Sequence, residues 1–328
     1  MKITMAHGSG GRSTSELIGS IFGKYFSNPV LDKMEDASVV EGSGRIAITT
    51  DSFVVTPLFF PGGNIGRLSV CGTVNDLLMS GAVPKYITFG VILEEGCDTE
   101  DLEKIVASAA ETAKEAGVIV VAGDTKVVEG NGGMYINTTG VGFVPEGMDV
   151  SASNCQAGDV ILVSGHLGDH HAAILSTRME ISNSIESDNA PLREMVDAMK
   201  AAGVRLHAMR DVTRGGLGTV LHEFAQSSKA CMEIREKDLP VSPEVKGFCG
   251  LLGLDPLYMG NEGKMLAVVP AEDAETALSC MKNSRYGENA GIIGEVSHEK
   301  DGSVLCHTPI GGVRIVSELI GEGLPRIC

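Results

Sequence analysis

Four aspartates sit where a folded chain would aim them at a ligand. Asp36 lies in "MEDASVV", Asp51 follows the apolar run "IAITT", Asp76 is inside "GTVNDLLMSGA", and Asp124 follows "VIVVAG". Carboxylates at the carboxyl ends of buried strands stand where open α/β sheets place ligands. Several converging would make a hard oxygen site suited to Mg2+ bridging phosphate oxygens. Taken singly, each is equally a turn residue or a helix cap. Lys126 follows Asp124 by two, so a strand would turn both to one side. "HGSGGR" (7–12) and "PGGNIG" (61–66) each precede a predicted helix and would expose backbone N–H groups to an anion. Neither matches the phosphate-loop or dinucleotide pattern, and 42 glycines in 328 residues make chance clusters common.

Other stretches carry further candidates. "MGNEGK" (259–264) sets Glu262 and Lys264 among glycines, and "MRDVTRGG" (209–216) sets Asp211 and Arg214 before a helix start. In "GHLGDHH" (165–171), His166 and His170 have the i, i+4 spacing of a zinc pair, but Gly168 between them favours a turn and a helix start. The chain ends on a thiol, Cys328, after Gly321, Gly323 and Pro325. Its last five residues can extend about 17 Å, enough to carry the sulfur from solvent into a cleft. A prenylated cysteine would stand fourth from the end, so prenylation is not expected. For a bare terminal cysteine the plain reading is a frayed end.

The elements that must position these groups alternate. "RIAITTDSFVV" (45–55), "KYITFGVILEE" (85–95), "VIVVAGDTKVV" (118–128) and "MYINTTGVGFV" (134–144) read as strands, with helices over 65–82 and 99–117 between them. The second helix puts Leu102, Ile105, Val106, Ala109 and Ala113 on one face, with Thr99 as cap and Gly117 as stop. A polar stretch at 145–157 marks a boundary. Beyond it, "DVILVSG", "ACMEIRE", "KMLAVVP", "AGIIGEVS" and "SVLCHT" read as strands, and 191–202, 215–228 and 271–283 as helices. The pattern predicts two α/β sandwich domains followed by a short tail.

Composition narrows the function. A formal charge of −17 leaves no basic stripe for nucleic acid. No apolar run approaches the ~18 residues of a membrane helix, and "MKITMAHGSGGR" has no signal-peptide core, so a cytoplasmic location is expected. The eight cysteines are scattered without a CxxC pair, which argues against a zinc site or a disulfide framework. Any bound nucleotide would need divalent metal between its phosphates and so many carboxylates.

Taken together, "TTDSFVVTPLFFPGGNIGRLSVCGTVNDLLMSGA", "VAGDTKVV", "MRDVTRGGL", "LLGLDPLYMGNEGK" and the terminal "LPRIC" resemble the HypE family of hydrogenase maturation proteins. That family sits in the ATP-binding aminoimidazole ribonucleotide synthetase-like group, which includes selenophosphate synthetase. The likeness runs from "MAHGSGGR" to the last residue. It implies an α/β (α+β) architecture of two domains, with residues 1–148 binding ATP and dimerising, 149–318 forming the second domain, and 319–328 a mobile tail. It implies ATP held by His7, Gly8, Gly10, Gly11, Asp51, Asn75, Asp76, Asp124 and Thr125, with Mg2+ on Asp36, Asp51, Asp76 and Asp124. It implies that the carbamoyltransferase HypF loads a carbamoyl group onto Cys328. ATP-dependent dehydration then leaves a thiocyanate, with Glu262 as base and Lys126 orienting the thiocarbamate. The cyanide passes to a HypC–HypD complex for the iron of a [NiFe]-hydrogenase, and the enzyme is a homodimer. Three positions depart from the family's pattern: His171 where "GDHG" is usual, Gly250 where "CELLG" is usual, and Gly260 where "ANEGK" is usual. The competing readings are a selenophosphate synthetase-like enzyme and a non-catalytic metal carrier. Against the former, the first thiol is Cys71, far from the N-terminal glycine loop.

Overall fold

The protein, represented by a computed structural model, is described over residues 2–8, 12–33, 40–42 and 44–318. Two short helices, α1 (Arg12–Leu17) and α2 (Gly23–Phe26), joined by a π-turn, precede the first sheet. That sheet contains β1 (Ile46–Phe53), β4 (Val83–Glu94), β5 (Ile119–Val128) and β6 (Met134–Phe143), in the order β1-β6-β4-β5. A small hairpin of β2 (Phe59–Phe60) and β3 (Gly63–Asn64) leads into α3 (Ile65–Met79), and α4 (Thr99–Ala116) is the crossover between the parallel pair β4 and β5.

Both helices cover one face of this sheet. The five residues predicted for the apolar face of α4 are all buried. Its cap is Asp98 and not Thr99: the Asp98 carboxylate accepts the Glu100 N–H, so Thr99 is already inside the first turn. Gly117 closes the helix in the left-handed region at φ 65°, as a C-terminal glycine should. α3 is apolar nearly all round because it is enclosed on every side, packing on β1, β4, β6 and α4 and reaching the second sheet as well. The other face of the first sheet is left bare, with Ile46, Ile48, Ile92 and Val128 among its exposed residues.

The second sheet has seven strands in the order β13-β12-β9-β11-β7-β10-β8. In chain order its strands are β7 (Val160–Val163), β8 (Ala208–Asp211), β9 (Cys231–Arg235), β10 (Met265–Val269), β11 (Gly291–Ser297), β12 (Val304–His307) and β13 (Val313–Ile315). Its helices are α5 (Asp169–Arg178), α6 (Arg193–Ala201), α7 (Gly216–Ser228), α8 (Pro243–Leu252) and α9 (Ala274–Lys282). Leu266 and Val268 of β10 share a core with α7, whereas Met265, Ala267 and Val269 join the core of α5, α6, α8 and α9. Burial on both faces explains the uninterrupted apolar run in "KMLAVVP". Strands β8 and β13 carry too short a pattern to be read from sequence, and helix α8 escapes it because Gly247 and Gly250 interrupt its run. No described helix is long and apolar enough to cross a membrane.

Candidate active site

Asp51 lies near the end of β1 on the face turned to α3, where Thr73 Oγ1 donates to its carboxylate at 3.3 Å. Asp76 projects from α3 and accepts from Thr49 Oγ1 at 2.7 Å. From the second sheet, Asp211 ends β8, Arg214 stands in the turn before α7, and Glu262 sits in the loop before β10. Asp51, Asp76, Asp211, Thr213, Arg214 and Glu262 all line one cavity of about 370 Å³ between the two sheets. Ser52, from the bare face of the first sheet, lines it too, so the cavity opens past the free edge of β1.

Crowding of carboxylates in a space shielded from water holds protons on them. Burial, with the Asp76 charge next, pushes Asp51 up to about 6. The same two causes push Asp211 up to about 7. Glu262 is raised well above the ordinary glutamate value, first by desolvation and then by Asp211, Asp188 and Asp51, while Arg214 opposes the shift. Between the unfolded aspartate value of 3.8 and these raised values, the folded state keeps protons that the unfolded chain has released. Stability from these groups is therefore fully present below about pH 4 and is lost as pH rises through about 6 to 7. Asp211→Asn removes the charge and keeps the shape. The ligand-free variant should melt a few degrees above the parent at pH 8 and close to it at pH 5. Equal midpoints at pH 8 would refute the repulsion.

The loop that carries Glu262 is held from behind. Asp188, its side chain almost fully buried, accepts the Glu262 N–H at 3.0 Å and lies 3.5 Å from Lys264 Nζ. Gly263 is required there, because a Cβ would come within 1.9 Å of the Asp188 carbonyl. Asn75 does not line the cavity: its amide donates to the Ala190 carbonyl at 3.0 Å and accepts the Leu192 N–H at 2.9 Å, tying α3 to the chain beside Glu262.

The aspartates expected to converge do so only in part. Asp124 is on β5, at the opposite edge of the sheet from β1, and its side chain leaves by the bare face with that of Lys126. The two pair at 3.0 Å, as their spacing on a strand predicts. Thr125 alternates with them, toward the helices. His7 and Gly8 lie in the short 3-10 turn Met5–Gly8, which packs against β5, so they belong with Asp124 and Lys126. One chain thus holds two separate halves of the predicted site. Asp36, Gly10, Gly11 and Cys328 lie outside the described residues, as does the whole predicted tail segment 319–328.

Two other sequence candidates are structural. Asn64 caps α3, taking the Gly66 and Arg67 N–H groups, so "PGGNIG" presents no free helix end to an anion. His170 is buried, bonded to Ser187 Oγ at 2.7 Å and packed edge-on to Phe60, and burial lowers its pKa to about 4. No group of three or more metal-ligating side chains is gathered among the described residues. Asp188 carries no motif and could not be singled out; Asp211 was visible only as half of an ion pair at a helix entry.

Residues 34–144 match the family model for the AIR synthase related protein, N-terminal domain, and residues 156–307 match its C-terminal counterpart. The chain is 48% identical to carbamoyl dehydratase HypE of Azotobacter vinelandii, over 99% of this chain and 97% of that protein. It is 44% identical to carbamoyl dehydratase HypE of Escherichia coli K12, over 99% of each. Among solved structures it superposes on hydrogenase maturation protein HypE in complex with ATP with a TM-score of 0.95, at 44% identity and 99% coverage of each chain. A HypE–HypF complex gives a TM-score of 0.81 at 46% identity, covering 92% of this chain and 99% of that one. A thiamine-monophosphate kinase from Stenotrophomonas maltophilia shares the fold alone, at 20% identity and a TM-score of 0.66. With both family models matched in order and HypE relatives aligned over their full length, this chain belongs to the HypE family.

Proposed function

We propose that this chain dehydrates a carbamoyl group carried on Cys328, at the expense of ATP, to a thiocyanate. Its cyano group then serves the iron centre of a [NiFe]-hydrogenase. The observation that carries the reading is the cavity in which Glu262, its proton affinity raised, shares one space with Asp51, Asp76 and Asp211. A carboxylate of raised basicity suits removal of amide protons. The cavity's donors are all oxygen but, among the described residues, are not gathered into a three-ligand site by themselves, so Mg2+ there would be held by Asp51 and Asp76 together with the triphosphate. Bound there, Mg2+ would neutralise the triphosphate.

The steps balance. The carbamoyl oxygen takes the γ-phosphoryl group while one N–H proton goes to Glu262, leaving an S-bound phosphorylated imidate and ADP. The C–O bond then breaks, phosphate departs with the oxygen, and the second N–H proton is lost. The net change is thiocarbamate plus ATP to thiocyanate plus ADP and phosphate. A mobile thiol must supply the sulfur, and none of the buried ones suits that task. Burial pushes Cys97 and Cys249 up to about 11 and Cys155 up to about 12, and Cys71 higher still.

The reading includes a homodimer joined through the residue 1–148 domain, with the second domain over 149–318 and the reactive tail over 319–328. Its support is the bare apolar face of the first sheet and the division of the site between the edges of that sheet. A second copy placing its β5 beside this β1 would bring the partner's Lys126 and Asp124 to the open side of the cavity. HypF is the loading partner, in keeping with the relative solved as a HypE–HypF complex. The HypC–HypD complex is the acceptor, and the setting is the cytoplasm. The test is mass spectrometry of the C-terminal peptide after incubation with HypF, carbamoyl phosphate and ATP. The expected product carries CN in place of the thiol hydrogen; a peptide that stops at the carbamoyl mass with ATP present would overturn the reading.

A further inference from the structure

Residues 179–192 join α5 to α6 without forming a helix or a strand. A connection of that length inside a compact domain is uncommon and usually functional. Its last part, residues 187–192, is bonded to both halves of the site. Toward the first sheet, the Ser187 N–H donates to the Pro61 carbonyl at 2.8 Å, and Arg67 Nε of α3 donates to the Asn189 carbonyl at 2.9 Å. Asn75 of α3, itself buried, adds its bonds to the Ala190 carbonyl and the Leu192 N–H. Toward the second sheet, the segment lies in backbone contact with the loop that carries Glu262. A Cβ at Gly263 would stand 2.8 Å from the Ala190 nitrogen as well as against the Asp188 carbonyl.

Both main-chain polar groups of Glu262 are taken up here. Its N–H donates to the Asp188 carboxylate at 3.0 Å, and Asn75 Nδ2 reaches its carbonyl at 3.5 Å. Asp188 is steadied in turn by Lys264, whose Nζ stands 3.5 Å away and donates to the Gly263 carbonyl at 3.2 Å. Asn75 immediately precedes Asp76 in α3. One turn of that helix therefore sends a carboxylate into the acid cavity and an amide onto the loop that bears Glu262.

Resting on the dehydratase reading, we propose that Asn75 and Asp188 are positioning residues, which with residues 187–192 form a clasp that sets Glu262 at a fixed distance from Asp76. The role belongs to the base side of the reaction, so Asn75 acts there and not on the nucleotide. Such a hold is needed because Asp51 and Asp211 share the cavity with Glu262, and like charges drive a loop outward. A general base works only within hydrogen-bond reach of the proton it takes. A misplacement of about 1 Å costs about 10²-fold in rate. The clasp opposes that displacement from the side away from the cavity.

Two neutral pairs of similar shape test the Asp188 arm by single turnover in HypF-loaded full-length protein. Asp188→Asn with Lys264→Met keeps an acceptor for the Glu262 N–H, and the two opposite charges leave together. Asp188→Leu with Lys264→Met has no acceptor. The asparagine pair should stay within about threefold of the wild-type rate, because the hydrogen bond is retained. The leucine pair should dehydrate about tenfold or more slowly. Asn75→Leu should show a loss of the same order, with ATP affinity and loading by HypF unchanged, since Asn75 does not line the cavity. Added to Glu262→Gln, neither Asn75→Leu nor the leucine pair should slow dehydration further, because both act through Glu262. A merely structural role would lower the rate again. Equal rates in the two pairs, a loss of ATP affinity matching the rate loss in Asn75→Leu, or a further loss on top of Glu262→Gln would each overturn the clasp. If wild-type protein itself never converts its loaded tail, it is the dehydratase reading that fails, and amide exchange then judges the clasp alone. Residues 259–264 should exchange faster in the leucine pair than in the asparagine pair, and equal exchange would overturn it.

Discussion

Glu262→Gln should lower conversion of the loaded tail to thiocyanate by about 10²–10⁴-fold, the usual contribution of a positioned general base. The carbamoylated protein should accumulate. Glutamine fills the same space and can still accept a hydrogen bond, but it cannot take a proton from nitrogen. The environment is built for the opposite requirement: desolvation and three neighbouring carboxylates raise the proton affinity of Glu262, with Arg214 as a counterweight. A group so placed takes a proton readily once the pH, or a cation bound nearby, has ionised it. On the proposed reading, loading by HypF should be unaffected, because HypF would act on Cys328. Carbamoyl and nitrile masses on the C-terminal peptide, followed in time, separate the two steps. Unaltered turnover would remove Glu262 from the mechanism, and loss of loading as well would point to a folding defect.

Much of this arrangement was legible in the residues. The strands of the first sheet and the buried face of α4 follow from periodicity, because each has one covered face to satisfy. The Asp124–Lys126 pair follows from strand alternation. Long-range geometry was not legible. Asp51 and Asp124 both end apolar runs, and nothing local says that β1 and β5 are the two edges of one sheet. Asp188 is invisible for the same reason, since its importance comes from a partner 74 residues away. "PGGNIG" misleads in another way: its glycines answer to close packing, with a Cβ at Gly62 falling 2.6 Å from the Ser187 carbonyl. Two departures from the family pattern prove to be neighbours. The Gly260 carbonyl accepts the His171 N–H at 3.2 Å, and the Gly260 N–H donates to His171 Nδ1 at 3.4 Å. The third, Gly250, has open space where a side chain would stand.

The division of the site sets the other large effect. β1 and β5 are separated by two intervening strands, about 14 Å across the sheet at the usual spacing. Lys126 moreover leaves by the face opposite to Asp51, so it does not reach the cavity of its own chain. Lys126→Ala and Glu262→Gln homodimers should each lose about 10²-fold or more in dehydration. In a hybrid dimer of the two, the Lys126→Ala protomer contributes an intact Glu262 and the other contributes an intact Lys126. If each site is built from both protomers, one complete site is restored per hybrid, and purified hybrids should recover about half of the wild-type rate. Co-expression with two affinity tags gives the hybrid, and single-turnover conversion of the loaded tails gives the rate. If lysine and glutamate instead served the same chain, each site of the hybrid would still lack one of them, and it would be as inactive as its parents. The bare face carrying Ile46, Ile48 and Ile92 adds an independent arm: Ile48→Asp puts a charge where the partner's sheet would pack in the proposed dimer. It should give monomers by sedimentation and abolish the recovery, although every residue of the acid cavity remains in place.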